Sequence, residues 1–509
     1  MAYVAPAALK GWISAGSELA ILDAREEGEF GHGHLFWAVP CPLSKKELRA
    51  PALLPRLATR VVCVDGGQGH AETLAAYLTS IGYSDVHVLK GGTPAWKEAG
   101  YVVFSGVHVP SKAFGEWAEH HYGTQSVDPA QLQAMKDSGQ DMVILDSRPM
   151  DEFTRMTIPG AVNVPGGELA YRIGDLVPDA GTTIVVNCAG RTRSIMGAES
   201  LRRAGVPNKI VALRNGTMGW ELAGFKCERG QTRSYAPGTP ASAALALQRA
   251  SAFAAENGVT LISRHAAEAM LADASRTTYA LDVRAAEEYA AGHIPRFRHA
   301  PGGQLVQATD QWVAVRNARI ILADDDTVRA RMSAAWLRQL GGWEVHVVEG
   351  ALAGPLRHAE PAGPEVPQMP LVTPQALAAV TGVTVLDLAR SIEFRAGHIP
   401  GAIWAVRGRV PQLDGPVVIC APDPWLAHLA AAELPGARVL EGGLAAWRAA
   451  GLPVAADRLT PPDEACVDWY LRPYDRNSGV EAAMHAYLAW EIDLVHEVER
   501  DGDARFGAW

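Results

Sequence analysis

Cys188 is the residue of this chain best placed to do chemistry. It ends the apolar run Ile184-Val185-Val186-Asn187 and opens the segment Cys188-Ala189-Gly190-Arg191-Thr192-Arg193-Ser194. The run reads as a β-strand, the segment as a tight, doubly basic loop, and Ile195 to Arg203 as a helix that follows at once. A thiol at a helix N-terminus beside arginines has its thiolate favoured, with a pKa lowered from about 8.5 into roughly the 3.5–7.5 range. The N–H groups of Ala189 to Ser194 would face the same space and cradle an anion. The alternative is a buried structural cysteine, but two arginines and a glycine have no use in an apolar core.

The elements that must position this loop recur along the chain. Four apolar runs end in aspartate: Ile21-Leu22-Asp23, Ile144-Leu145-Asp146, Ala280-Leu281-Asp282 and Val385-Leu386-Asp387. Six residues after each aspartate stands Glu29, Glu152, Glu288 or Glu393, and eleven after it His34, Thr157, His293 or His398. The spacing between copies, 105 to 136 residues, is that of a repeated whole domain and not of a solenoid unit. Within each copy short β-rich runs alternate with helical stretches. The expected fold is therefore α/β, four tandem domains each with a mainly parallel sheet flanked by helices. Cys188 then lies at the carboxyl end of a strand, where such sheets form their ligand crevice.

The expected boundaries are domains at 1–104, 128–232, 259–358 and 374–458. Linkers fall at 105–127 and 233–258, the latter with an alanine-rich helix over Ala241 to Asn257. Residues 359–373 form a stiff proline-rich linker. A tail, 459–509, carries a helix over Val480 to Glu499 and is expected to pack across domains. A net charge of −10 gives no support for nucleic-acid binding. No apolar run approaches the length of a membrane span. The N-terminus lacks the layout of a signal peptide. Six cysteines, at 41, 63, 188, 227, 420 and 466, show neither disulfide nor zinc spacing and fit a reducing cytoplasm. His120-His121 has no cysteine or carboxylate cluster beside it in sequence, so neither a metal nor a cofactor is expected.

These residues resemble the rhodanese (thiosulfate sulfurtransferase) superfamily over nearly the whole chain. Asp282-Val283-Arg284 with Glu288-Tyr289 and Gly292-His293-Ile294-Pro295 resembles the family's first signature, and Asn215-Gly216-Thr217-Met218-Gly219-Trp220 its closing element. The Cys188 segment resembles its active-site loop. The second domain departs at Met156-Thr157, where glycine-histidine is usual. In the family, sulfurtransferases carry a six-residue loop, whereas phosphatases and arsenate reductases carry seven ending in arginine. Here the seventh residue is Ser194, which disfavours a phosphatase.

The distance from strand aspartate to loop is 42 residues in three copies, ending at Asp65, Cys188 and Asp324. The first and third domains therefore lack the nucleophile. The fourth copy is shorter, 33 residues from Asp387 to Cys420, and its loop Cys420-Ala421-Pro422-Asp423-Pro424 has two prolines, an acid and no arginine. That loop is expected to be inert. The resemblance implies that Cys188 takes sulfur from thiosulfate or a related sulfane donor as a persulfide and passes it to cyanide or a thiol. Arg191 and Arg193 would neutralise the donor anion, and Asp146 with Arg148 would support the loop from behind. Cys227, seven residues past Trp220, is expected to be packing rather than a resolving thiol. The competing expectation is a persulfide carrier or scaffold whose degenerate domains or tail bind a protein partner.

Overall fold

The structure, a computed structural model, describes residues 1–358 and 363–507. The first four residues of the expected proline-rich linker, Pro361 among them, and the last two of the tail lie outside the described residues. Four sheets follow one another along the chain. That of the second domain runs Ser126–Val127, Ile210–Leu213, Thr183–Asn187, Met142–Asp146, Val162–Asn163, with every neighbouring pair parallel. Sheets three and four repeat this order, with Arg319–Ala323 and Val417–Cys420 at the centre. Thr183–Asn187 is buried along its whole length, as a central parallel strand covered on both faces must be. The first sheet has a foreign member: Val315–Arg316 of the third domain lies antiparallel against Leu19–Asp23. Domains one and three are thus interlocked although they are not neighbours in sequence.

The connections are not spacers. Segment 105–127 contains the helix Val109–Tyr122, hereafter the bridging helix, with Ala113, Phe114, Glu116 and Ala118 buried. It packs between the helix Thr192–Arg203 and the C-terminal helix Val480–Asp501. Gly115 permits the close approach, since a Cβ there would sit 2.6 Å from the Thr192 methyl. Segment 233–258 holds the helix Pro240–Glu256, which Thr239 caps by accepting from the Ser242 N–H. Its stripe of Ala246, Ala250, Phe253 and Ala254 wedges between helices Leu169–Leu176 and Val328–Leu340. Ala246, Ala250 and Ala254, at i, i+4 and i+8, let both helices close in, and Phe253 at i+7 packs on the Trp336 ring.

One continuous apolar core runs through the first three domains and takes in Leu494 and Val498 of the tail, while the fourth domain keeps cores of its own. The fourth domain meets the first through Arg407–Glu47 at 2.7 Å and Arg409–Glu29 at 2.6 Å. The tail runs along the first domain, the Gly28 N–H donating to the Val467 carbonyl at 2.9 Å, before it turns into the C-terminal helix over the second. Among the described residues no helix is long and apolar enough to cross a membrane.

Candidate active site

The central strand ends at Asn187 and delivers Cys188 as the first residue of the loop. The opening of the helix Gly216–Leu222 holds the loop: the Thr217 N–H donates to the Cys188 carbonyl at 2.9 Å, and the Met218 N–H to that of Ala189 at 3.0 Å. Gly216, at φ +54°, lies so close that a side chain there would collide with the Cys188 carbonyl. The following helix begins at Thr192, earlier than the sequence pattern suggested, so Arg193 and Ser194 belong to its first turn. The Cys188 thiol donates to Ser194 Oγ at 3.6 Å, and that hydroxyl donates to the Arg191 carbonyl at 2.7 Å.

The C-terminal helix roofs the loop. A Cβ on Gly190 would stand 3.0 Å from Glu491 Oε2 and 3.3 Å from Tyr487, and Thr192 Oγ1 donates to Glu491 Oε1 at 2.7 Å. Cys188 is left 2% exposed. Burial pushes its thiol above the ordinary cysteine value, Arg193 and Ser194 pull against that, and Glu491 adds to it. The expectation of a lowered pKa is therefore corrected: burial under the tail outweighs the pull of Arg193, and Arg191 is spent on the bridging helix.

Arg191 is turned from the sulfur. Its Nε and Nη2 donate to both oxygens of Glu116 at 2.8 Å each, and it also pairs with Glu119, both on the bridging helix. Its expected place on the donor anion is therefore not where the structure puts it. Arg193 grips Glu152 at 2.7 and 2.8 Å. Against its burial, Arg193 and Arg472 hold the Glu152 carboxyl down at about 2. Asp146 and Arg148 are brought together beneath the loop, at 2.9 and 2.6 Å. Thr157 Oγ1 and Asn187 Nδ2 complete the aspartate's partners at 2.8 and 3.2 Å.

Beside the loop opens a cavity of about 100 Å³, with Ala189, Arg193 and Met218 in its wall. Three further lining residues come from segments read in sequence as connectors: Lys112 of the bridging helix, and Arg472 and Tyr487 of the tail. Lys112 is only 4% exposed. Its ammonium donates to the Tyr487 hydroxyl at 2.7 Å and lies over the Trp490 ring at 4.7 Å. Burial pushes its pKa down to about 8. Among the described residues no carboxylate stands within ion-pair distance of it. The sequence did not single it out: in the helical stretch Lys112 shares its face with Glu116 and Glu119, four and seven residues on, as a solvated lysine commonly does.

The other loops are occupied by their own side chains. Asp65 accepts from the Gly67 N–H at 2.8 Å and the Ala71 N–H at 3.2 Å. Asp324 accepts from Thr327, Arg329 and Ala330 N–H groups at 2.7, 2.9 and 3.1 Å. Cys420 is the last residue of its strand, and burial, then Asp387 beside it, push its thiol up. Asp423 is used to cap the following helix through the Leu426 N–H. Cys227, half-buried against the core of the second domain, is pushed up to about 12 by burial and by Glu221.

Comparison with known proteins agrees with this geometry. The rhodanese-like domain family matches residues 5–99, 128–223 and 263–354. A crystal structure of a thiosulfate sulfurtransferase from Pseudomonas aeruginosa superposes with a TM-score of 0.91 at 41% identity, covering 100% of this chain and 99% of that one. An HTH-type transcriptional regulator of Mycobacterium tuberculosis is 31% identical over 106 residues, 21% of this chain and 45% of that protein. A candidate sulfur carrier protein of Bacillus subtilis, YrkF, is 26% identical over 148 residues, 27% of this chain and 78% of that protein. The chain thus spans about half the length of the first of these curated relatives. With the family matched three times along its length, this chain belongs to the rhodanese-like domain family.

Proposed function

We propose that the protein is a sulfurtransferase that moves sulfane sulfur from thiosulfate to cyanide or a cellular thiol through a persulfide on Cys188. The observation that carries this reading is the convergence of loop N–H groups at the nucleophile position. Asp65 and Asp324 mark that point with carboxylate oxygens, and in the second domain Cys188 Sγ holds it. The Ser194 N–H that reaches this sulfur is the counterpart of the Ala71 and Ala330 donors.

The deprotonated Cys188 attacks the outer sulfur of thiosulfate. A Cys188–S bond forms, the S–S bond of thiosulfate breaks, and sulfite leaves with the electron pair. The acceptor, cyanide or a thiolate, then attacks the terminal sulfur and returns Cys188 as thiolate, giving thiocyanate or a new persulfide. Loop N–H groups hold the sulfur while it resides on the enzyme. The likeness to the Pseudomonas aeruginosa thiosulfate sulfurtransferase supports the choice of donor.

The test is mass spectrometry with peptide mapping after thiosulfate treatment. The Cys188 peptide should gain the mass of one sulfur atom and lose it on adding cyanide. Cys188→Ala should abolish turnover, while Cys420→Ala should leave most of it, its thiol being pushed up by burial and by Asp387. Full turnover in Cys188→Ala would overturn the assignment. Loading without release would instead mark a carrier.

A further inference from the structure

The cavity beside the loop is built mostly by chain from outside the second domain, and its charge is unbalanced. Lys112, Arg148, Arg155, Arg193 and Arg472 line it, against the carboxylates of Glu152 and Asp475. Arg193 belongs to Glu152, Arg155 to Asp475 and Arg148 to Asp146. Among the described residues Lys112 has no such contact, and Glu491 and Asp310 act on it only from beyond ion-pair distance. Its bond to Tyr487 is donated by the ammonium, so the phenol keeps its own O–H to give. Burial holds that phenol far from ionisation. A buried ammonium whose nearest opposing charges stand beyond contact is only partly compensated, and an arriving anion relieves that cost.

We propose that Lys112 and Tyr487, with Arg472 at the rim, anchor the oxoanion end of a small dianionic sulfur donor, so that the bridging helix and the tail set donor choice. The inference rests on the sulfur-transfer reading of Cys188 and adds the residues that hold its donor. At about 100 Å³ the space holds several waters' worth of volume, at roughly 10–15 Å³ each. That admits an inorganic dianion of the size of thiosulfate. The loop's wall residues Ala189 and Arg193 face this same space, which brings an anchored donor to the edge of the Cys188 cradle.

The test uses the full chain with Cys188→Ser, which binds without reacting, and calorimetric titration with sulfite and with thiosulfate. Adding Lys112→Met should weaken binding roughly tenfold or more, the range for a charge-assisted hydrogen bond, and Lys112→Arg should recover most of it. Tyr487→Phe should weaken it less. Because the lysine is buried unpaired, Lys112→Met should leave the melting temperature unchanged or higher. A purely structural lysine would lower it. With Cys188 intact, Lys112→Met should raise the KM for thiosulfate at least tenfold with kcat within about threefold. Unaltered sulfite affinity and KM in Lys112→Met, with turnover present, would overturn the anchor and leave the function standing. Lys112-dependent binding with no turnover in the unmodified protein would overturn the function and leave the anchor.

Discussion

The loops of the second and third domains are built on one plan and differ in what fills them. Each starts at the end of a central strand, each runs directly into a helix, and each carries an arginine five residues on. Arg193 grips Glu152, and Arg329 grips Glu288 at 2.6 Å, the two glutamates standing at the same offset from their strand aspartates. The arginine–glutamate pair is thus part of the scaffold in a loop with no nucleophile, and its presence beside Cys188 does not by itself signal chemistry. What separates the loops is the first side chain and the surroundings. Asp324 takes three N–H groups for itself, and Asp325 and Asp326 follow it. Cys188 carries no acid of its own into the cradle, and its loop neighbours Ala189 and Arg193 line a cavity rich in cations.

The comparison breaks most severely if the first side chain is exchanged. Cys188→Asp should fold, because Asp324 demonstrates that a carboxylate satisfies such a cradle, and should have no detectable sulfur transfer. Asp324→Cys should gain none, since Asp325 and Asp326 repel a dianion at that loop. The same thiosulfate–cyanide assay and peptide mapping apply to both, and a loaded sulfur on residue 324 would mean that the surroundings matter less than the thiol.

A smaller effect separates the two arginines of the active loop. Arg191→Ala strands Glu116, a carboxylate with no exposure, and should cost about 3–5 kcal/mol of stability, as loss of one partner of a buried pair does. Thiosulfate KM should change little, because the Arg191 guanidinium is spent on the bridging helix. Adding Glu116→Gln should restore part of the loss by removing the stranded charge. Arg193→Ala should lower both stability and donor use, since Arg193 lines the cavity. Thermal unfolding with steady-state kinetics checks both, and a raised KM with unchanged stability in Arg191→Ala would return that arginine to the donor.

Much of this was legible in the sequence, for a physical reason. Strand, turn and helix follow local pattern, so the four repeats, the Cys188 loop, the Asp146–Arg148 pair and the vacancy of the nucleophile at Asp65 and Asp324 could all be read. The thiol's electrostatics could not. Proximity of Arg191 and Arg193 in sequence suggested an activated thiolate, but Glu116 and Glu119 take up Arg191, and burial outweighs the pull of Arg193. Glu491, more than 300 residues downstream, helps to roof the sulfur. The donor-facing cations escaped for the same reason. Lys112 and Arg472 sit in segments whose local pattern says connector, and only the packing of those segments onto the second domain brings them to the loop.

The smallest effect concerns the position where the second domain departs from the other three. In those, a histidine stacks on an aromatic ring: His34 on Phe30, His293 on Tyr289 and His398 on Phe394, with centroids 3.8 to 3.9 Å apart. The second domain has Phe153 but Thr157, and its hydroxyl donates instead to Asp146, the residue that holds Arg148 under the loop. Thr157→His would gain a stack worth about 0.5–1.5 kcal/mol and lose a hydrogen bond of about the same worth, so stability should move by no more than about 1 kcal/mol. Asp146 keeps Arg148 and Asn187, so the loop should hold and turnover should fall by no more than about threefold. A much larger loss of kcat with stability intact would show that the Thr157 hydroxyl tunes the Asp146–Arg148 support of the active loop, and that the departure belongs to the chemistry rather than to packing.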